Sequence, residues 1–136
     1  MLGARDPHGI ALSEDGQRIL VADSGNGRIR VHDARQLALA FVFPGEYADV
    51  DRPLQMPRDV AVAEGEIFVS DNGRSQIAVF GKGGKLRRVL CAPTSSFASF
   101  HARSAMAHTR LRVQWHAPVN LSFTTEALDR LAPGVA

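Results

Sequence analysis

Four aspartates, Asp6, Asp23, Asp59 and Asp71, stand within two residues of a proline, glycine or asparagine, and each offers a carboxylate for acid–base work. Such catalysis needs two groups held within hydrogen-bond reach of one substrate. Turn chemistry accounts for the same residues, because a short carboxylate accepts from backbone amides two positions on. Ser70 precedes Asp71 without the GxSxG setting that exposes a serine nucleophile. GKGGK, residues 81–85, shares the composition of a phosphate loop but lacks the GxxxxGK[ST] spacing and a following helix, and reads as a turn. His8 follows a turn proline, whereas His101, His108 and His116 have no ligand spacing, and a catalytic metal needs three converging protein ligands. Cys91 is the single cysteine, so neither an intrachain disulfide nor a cysteine zinc cluster is available. No catalytic residue is assigned on these grounds, and no cofactor is expected.

The charged residues are unevenly spread. Residues 1–71 hold twelve acids against seven bases, while residues 72–125 hold eight bases and no acid, although the whole chain carries only +2. Clustered Arg and Lys create a local field that total charge hides, so this polarity suits an anionic partner or a solvated basic face. The 45% hydrophobic content supports one packed domain. No run of roughly eighteen apolar residues occurs, so no membrane span is expected. The lone cysteine and an N-terminus without a basic, then apolar, leader fit a cytoplasmic location.

The elements that would position these groups come in two copies. VADSGNGRIRVHD at residues 21–33 and VSDNGRSQIAVFG at residues 69–81 match in residue type, with Asp23 and Asp71, Ile29 and Ile77, and Val31 and Val79 each 48 positions apart. Upstream, PHGIAL and PRDVAV alternate with a period of two and read as strands. RILVAD and EIFVSD are continuous apolar runs, as in strands buried on both faces. A hairpin follows in which Gly25, Asn26, Gly27, Asn72 and Gly73 can take positive φ. The third strand alternates strictly, and QLALAFVF or KLRRVL supplies a fourth. Four short antiparallel strands, repeated at about fifty residues without an intervening helix, specify a propeller blade.

PHGIALSEDGQRILVADSGNGRIRVHD and PRDVAVAEGEIFVSDNGRSQIAVF resemble two NHL repeats, whose pattern is a proline, a G-I-A-V-like strand, a Y-V-A-D-like strand and an N-R-I-x-V-F-like strand. Asp59 departs from that pattern where Gly9 keeps it, and Ser75 and Gln76 replace the usual Asn and Arg. The expected fold is all-β: a partial β-propeller of two four-stranded antiparallel blades, at about residues 5–43 and 55–90 within a domain spanning 1–90. An unassigned segment follows at 91–136, with one strand around Leu111, Val113 and Trp115 and a short helix over 124–132. Two blades cannot close a ring, so missing blades, self-association or cover from the tail must shield their apolar flanks.

The resemblance implies an interaction module that binds a protein partner, or RNA through a basic face, at loop tips around the channel mouth and without catalysis of its own. The residues after each proline, His8 and Arg58, would lie near that mouth, and the strand-linking loops add Asn26, Arg28, Arg74 and Gln76. Arg28, Arg30, Arg58 and Arg74 would serve as phosphate contacts, with Arg87 and Arg88 behind them. An alternative follows from a similarity of PHGIAL, ADSGNGRI and FVSD to peptidyl amidating lyases, propeller enzymes that hold a catalytic metal with histidines. His8 would then match a ligand position for zinc or calcium, with Arg58 in the place of a second histidine.

Overall fold

The computed structural model describes residues 3–45, 54–91, 97–105, 108–116 and 121–124. The first blade is a meander of β1 (Pro7–Leu12), β2 (Arg18–Asp23), β3 (Arg28–Asp33) and β4 (Leu39–Phe43). The second repeats it with β5 (Pro57–Ala63), β6 (Glu66–Asp71), β7 (Gln76–Gly81) and β8 (Leu86–Cys91). Strand β4 starts later than the apolar run from Gln36 suggests. Asp33 Oδ1 accepts from the amides of Arg35 and Gln36, both at 2.9 Å, and this turn consumes the first residues of the run.

Turn chemistry differs between the copies. Glu64 and Gly65 take φ of 51° and 74°, the two positive values of a two-residue hairpin whose twist matches its strands. Gly27 ends the β2–β3 turn at φ 63°, as a glycine there suggests. In the second blade the equivalent position is Ser75, at φ 50°, so Ser75 and not Gly73 or Asn72 bears the left-handed conformation.

Two buried aspartates hold the far end of each blade. Asp71, about 1% exposed, accepts from the amides of Gln55 (2.8 Å), Met56 (2.8 Å) and Gly73 (3.1 Å), and from the Gln76 side chain at 3.4 Å. Asp23 accepts from the Arg5 amide at 2.7 Å, the Arg28 guanidinium at 2.8 Å and the Asn26 side chain at 3.0 Å. The local amide bond expected two residues on exists for Asp71 alone. The other amides come from fifteen to eighteen positions upstream, so each aspartate clamps the approach to its own proline strand. Burial pushes the Asp23 carboxyl up, but the Arg5 amide and the Arg28 and Asn26 side chains outweigh it and hold the group below its ordinary value.

Register sorts the side chains into two faces per blade. Ala11, Leu20, Val31 and Phe41 form one row of the first blade and Ala22, Ile29 and Phe43 the next. This face shares one core with Val60, Val62, Ile67, Val69, Ala78 and Phe80 of the second blade, where the rings of Phe43 and Phe80 lie 4.9 Å apart. The Ser24 hydroxyl donates to the Pro57 carbonyl, and the Gly65 amide to the Glu14 carboxylate at 2.8 Å, so both ends of the interface are stitched. Strands β1 and β5 run so close that a Cβ on Gly9 would stand 2.3 Å from Asp59 Oδ1. The departure at Asp59 thus faces the glycine that makes room for it.

The strand expected around Leu111 is the middle one of three: β9 (Phe97–Ala105), β10 (His108–His116) and β11 (Leu121–Thr124), ordered β11-β10-β9. Strand β9 lies against β5 and β6, covering the second flank of blade 2. Register sets Ala102 opposite Leu111, Phe100 opposite Val113 and Val113 opposite Phe123, and Arg103 opposite Arg110 and His101 opposite Arg112. Thr124, expected to cap a helix, ends β11; the rest of that helix falls outside the described residues. Among the described residues no helix is long and apolar enough to cross a membrane.

The sheets do not close into a ring, and the free flank is on blade 1. Ile10 and Leu12 are 67% and 57% exposed, whereas their repeat counterparts Val60 and Val62 are 3% and 6% exposed. Val60→Ala should therefore cost about 2 kcal/mol and Ile10→Ala within about 0.5 kcal/mol, measured by urea unfolding. Ser75→Gly should stabilise by about 1 kcal/mol in the same assay, because glycine removes the left-handed penalty. Asp71→Ala should cost about 3 kcal/mol by leaving buried amides unpaired. Asp23 is depressed when folded, so its contribution is complete above the ordinary value of 3.8 and is lost as pH falls from there through the folded value. The stability gap between wild type and Asp23→Asn should narrow over that acid range.

Candidate functional site

All six residues singled out from the sequence gather at the aspartate end of the sheets. Register pairs Pro7 with Asp23 and Asp23 with Arg28, and likewise Pro57 with Asp71 and Asp71 with Gln76, so each stands close to a clamp. Their availability differs sharply. Arg28 is 15% exposed and its Nε lies 2.8 Å from Asp23 Oδ2, so it is a structural cation. Gln76 plays the neutral counterpart at Asp71. Asn26 donates to both Asp23 oxygens, at 3.1 and 3.0 Å, and to the Gly3 carbonyl at 3.3 Å.

His8, Arg58 and Arg74 remain as the solvent-facing members. His8 Nε2 lies 3.5 Å from Asp6 Oδ2. Neither the Arg58 nor the Arg74 guanidinium has an ion-pair or hydrogen-bond partner among the described residues, which leaves their forked donors available to an incoming acceptor. Arg74 and Asn26 line one open cleft of about 450 Å³ together with Gly25, Gly27, Leu54 and Gln55. Its floor is backbone: a Cβ on Gly27 would stand 3.3 Å from the Leu54 carbonyl and 3.4 Å from that of Gln55. Leu54 and Gln55 were not legible as site residues, and the only sequence signal for them is their position just ahead of Pro57.

The further arginines are not where phosphate contacts require. Arg87 and Arg88 sit at the opposite end, 3.2 and 2.8 Å from Glu66. Burial raises the Glu66 carboxyl, and its bonds to Arg88 and Arg87 more than offset this, leaving it below the usual glutamate value. Arg30 is 8% exposed and its Nε points to His32 Nε2 at 3.4 Å. Among the described residues no three His, Cys, Asp or Glu side chains converge. His8 has Asp6 beside it among the described residues, and a metal at His8 stays what the lyase resemblance implies.

Comparison with solved structures gives the fold a context. A luciferin-regenerating enzyme aligns over 79% of this chain and 36% of its own, at 21% identity and a TM-score of 0.56. Sqt1 from Saccharomyces cerevisiae aligns over 87% and 31%, at 15% identity and a TM-score of 0.58. The dihydro-heme d1 dehydrogenase NirN aligns over 96% and 28%, at 20% identity and a TM-score of 0.60. These β-propeller proteins are similar in fold alone, and the chain spans about a third of their length. No curated protein matches it in sequence. The NHL repeat family matches twice, over the two stretches that build β1 to β3 and β5 to β7. The chain carries two NHL repeats, at residues 5–31 and 54–80.

Proposed function

We propose that this chain is an interaction module that takes a segment of a protein partner at the aspartate end of its blades. The observation that carries this reading is the cleft between the two β2–β3-type turns, lined by Asn26 and Arg74 over a backbone floor. Rigid sheets hold it, clamped by Asp23 and Asp71, and a site on a rigid frame loses little entropy on binding. Exposed guanidiniums at Arg58 and Arg74 suit a partner carrying Asp, Glu or a chain-terminal carboxylate. No group of this cleft is placed for bond-making chemistry, so recognition is the function it fits.

RNA is the second reading, favoured by the basic residues that register places opposite one another on β9 and β10, Arg110 with Arg103 and Arg112 with His101. Phosphate contacts of this kind bind without sequence preference and weaken steeply with salt. The two readings separate cleanly. Arg74→Glu should weaken capture of an acidic partner about tenfold while leaving the unfolding midpoint unchanged, and Arg103→Glu with Arg112→Glu should have no effect on it. A single-stranded RNA bound with a steep salt dependence, lost in the Arg103/Arg112 pair and kept in Arg74→Glu, would instead support the second. Binding insensitive to all three substitutions would reject both.

A further inference from the structure

The opposite end of the blade interface holds a second concavity with different chemistry. Its walls are Leu20, Val31 and Phe41 from the first blade and Val62 and Ile67 from the second, enclosing about 230 Å³. It exists because the interface is filled unevenly. Phe43 and Phe80 meet between the sheets with their rings 4.9 Å apart, and Leu54 is buried in the same core. Leu20, Val31, Val62 and Ile67 belong to that core too, with Phe41 packed against it, and a concavity remains between them and the β1–β2 turn.

The rim is polar and carries both signs: Ser13, Glu14, Asp15 and Arg18 on one side and Lys82 on the other. The acids are occupied. Glu14 accepts from the Gly65 amide at 2.8 Å, and Asp15 from the Ser13 hydroxyl at 2.6 Å and the Gln17 amide at 2.9 Å. These last two bonds, with a smaller contribution from the nearby Lys82 charge, hold the Asp15 carboxyl below its ordinary value. Arg18 leans on Asp33 at 3.5 Å. The Lys82 ammonium, whose stem passes 3.7 Å from the Cβ position of Gly65, donates to no acceptor among the described residues. An apolar chamber with a cation at its mouth that is hydrogen-bonded to no acceptor among the described residues is the arrangement of a small-ligand site, where walls supply affinity and a charge sets orientation.

We propose that this chamber binds a small monocarboxylate with an apolar body about the size of a phenyl ring, the body against Phe41 and Leu20 and the carboxylate at Lys82. The volume fits: a dry cavity of about 150 Å³ holds benzene, and the remaining space matches a short acid-bearing arm. The site is independent of the partner cleft, which lies at the other end of the sheets.

Phenylacetate titrated into the ¹⁵N-labelled full chain tests this by amide chemical shifts. The expected result is saturable shifts at millimolar ligand confined to the Ser13–Arg18 turn, Val31, Val62 and Lys82. Lys82→Met, an exposed and fold-neutral change, should weaken binding about fivefold. Phenethylamine, with the same ring and the opposite charge, should bind more weakly than phenylacetate. Absence of saturable shifts, shifts elsewhere only, an unchanged affinity in Lys82→Met, or an equal affinity for the amine would each overturn the proposal. Arg74→Glu leaves phenylacetate binding unchanged if the two sites are separate.

Discussion

A buried carboxylate that must collect donors is the constraint from which the rest of this structure follows. An ionised aspartate taken out of water needs a partner at nearly every lone pair, or its desolvation outweighs what it contributes. Asp23 and Asp71 meet this need by drawing in backbone amides from the segment before each proline. That draws β1 onto β2 and β5 onto β6 at a fixed register. It also explains the irregularity between Pro7 and Ile10 and between Pro57 and Asp59, where the inner strand bends to deliver its amides. Asparagine would match the size but offers one acceptor oxygen and an unwanted pair of donors.

Held at that end, the blades stack as wedges, and each flank must find a neighbour. Blade 1 covers one face of blade 2, and β9 covers the other, which is why Phe68 and Val79 are fully buried. Blade 1 has no such cover on the side of Ile10 and Leu12. That flank is not a copy of the one on blade 2, since Arg30 and His32 stand where Ala78 and Phe80 pack in the repeat. Arg30 and His32 make this face more polar than the one that closes between blades 1 and 2.

Period and punctuation made the eight blade strands legible, because alternating Ile and Val and the paired turn residues are local signals. The donors to the aspartates were hidden for the opposite reason: a carboxylate in a sequence shows a need but not which amide, fifteen to eighteen residues away, will meet it. Strand β9 escaped notice because its alternate positions, Ala98, Phe100 and Ala102, include small residues, so the period-two pattern has low contrast. The site was half legible. Residue type marked Arg28 and Arg74 equally, and only the distance to a buried acid separates the structural one from the exposed one.

That separation has a physical logic that the repeat exposes. Asp23 receives one upstream amide, from Arg5, and a guanidinium stands opposite it in register at Arg28. Asp71 receives three amides, from Gln55, Met56 and Gly73, and a neutral Gln76 stands opposite. Charge-assisted bonds are roughly twice as strong as neutral ones, so a carboxylate short of amides needs the cation and one rich in amides does not. In the second blade the arginine is free to sit in the turn, at Arg74, where it faces the cleft. The exposed cation of the candidate site is therefore a consequence of how many amides the neighbouring chain delivers to a buried aspartate.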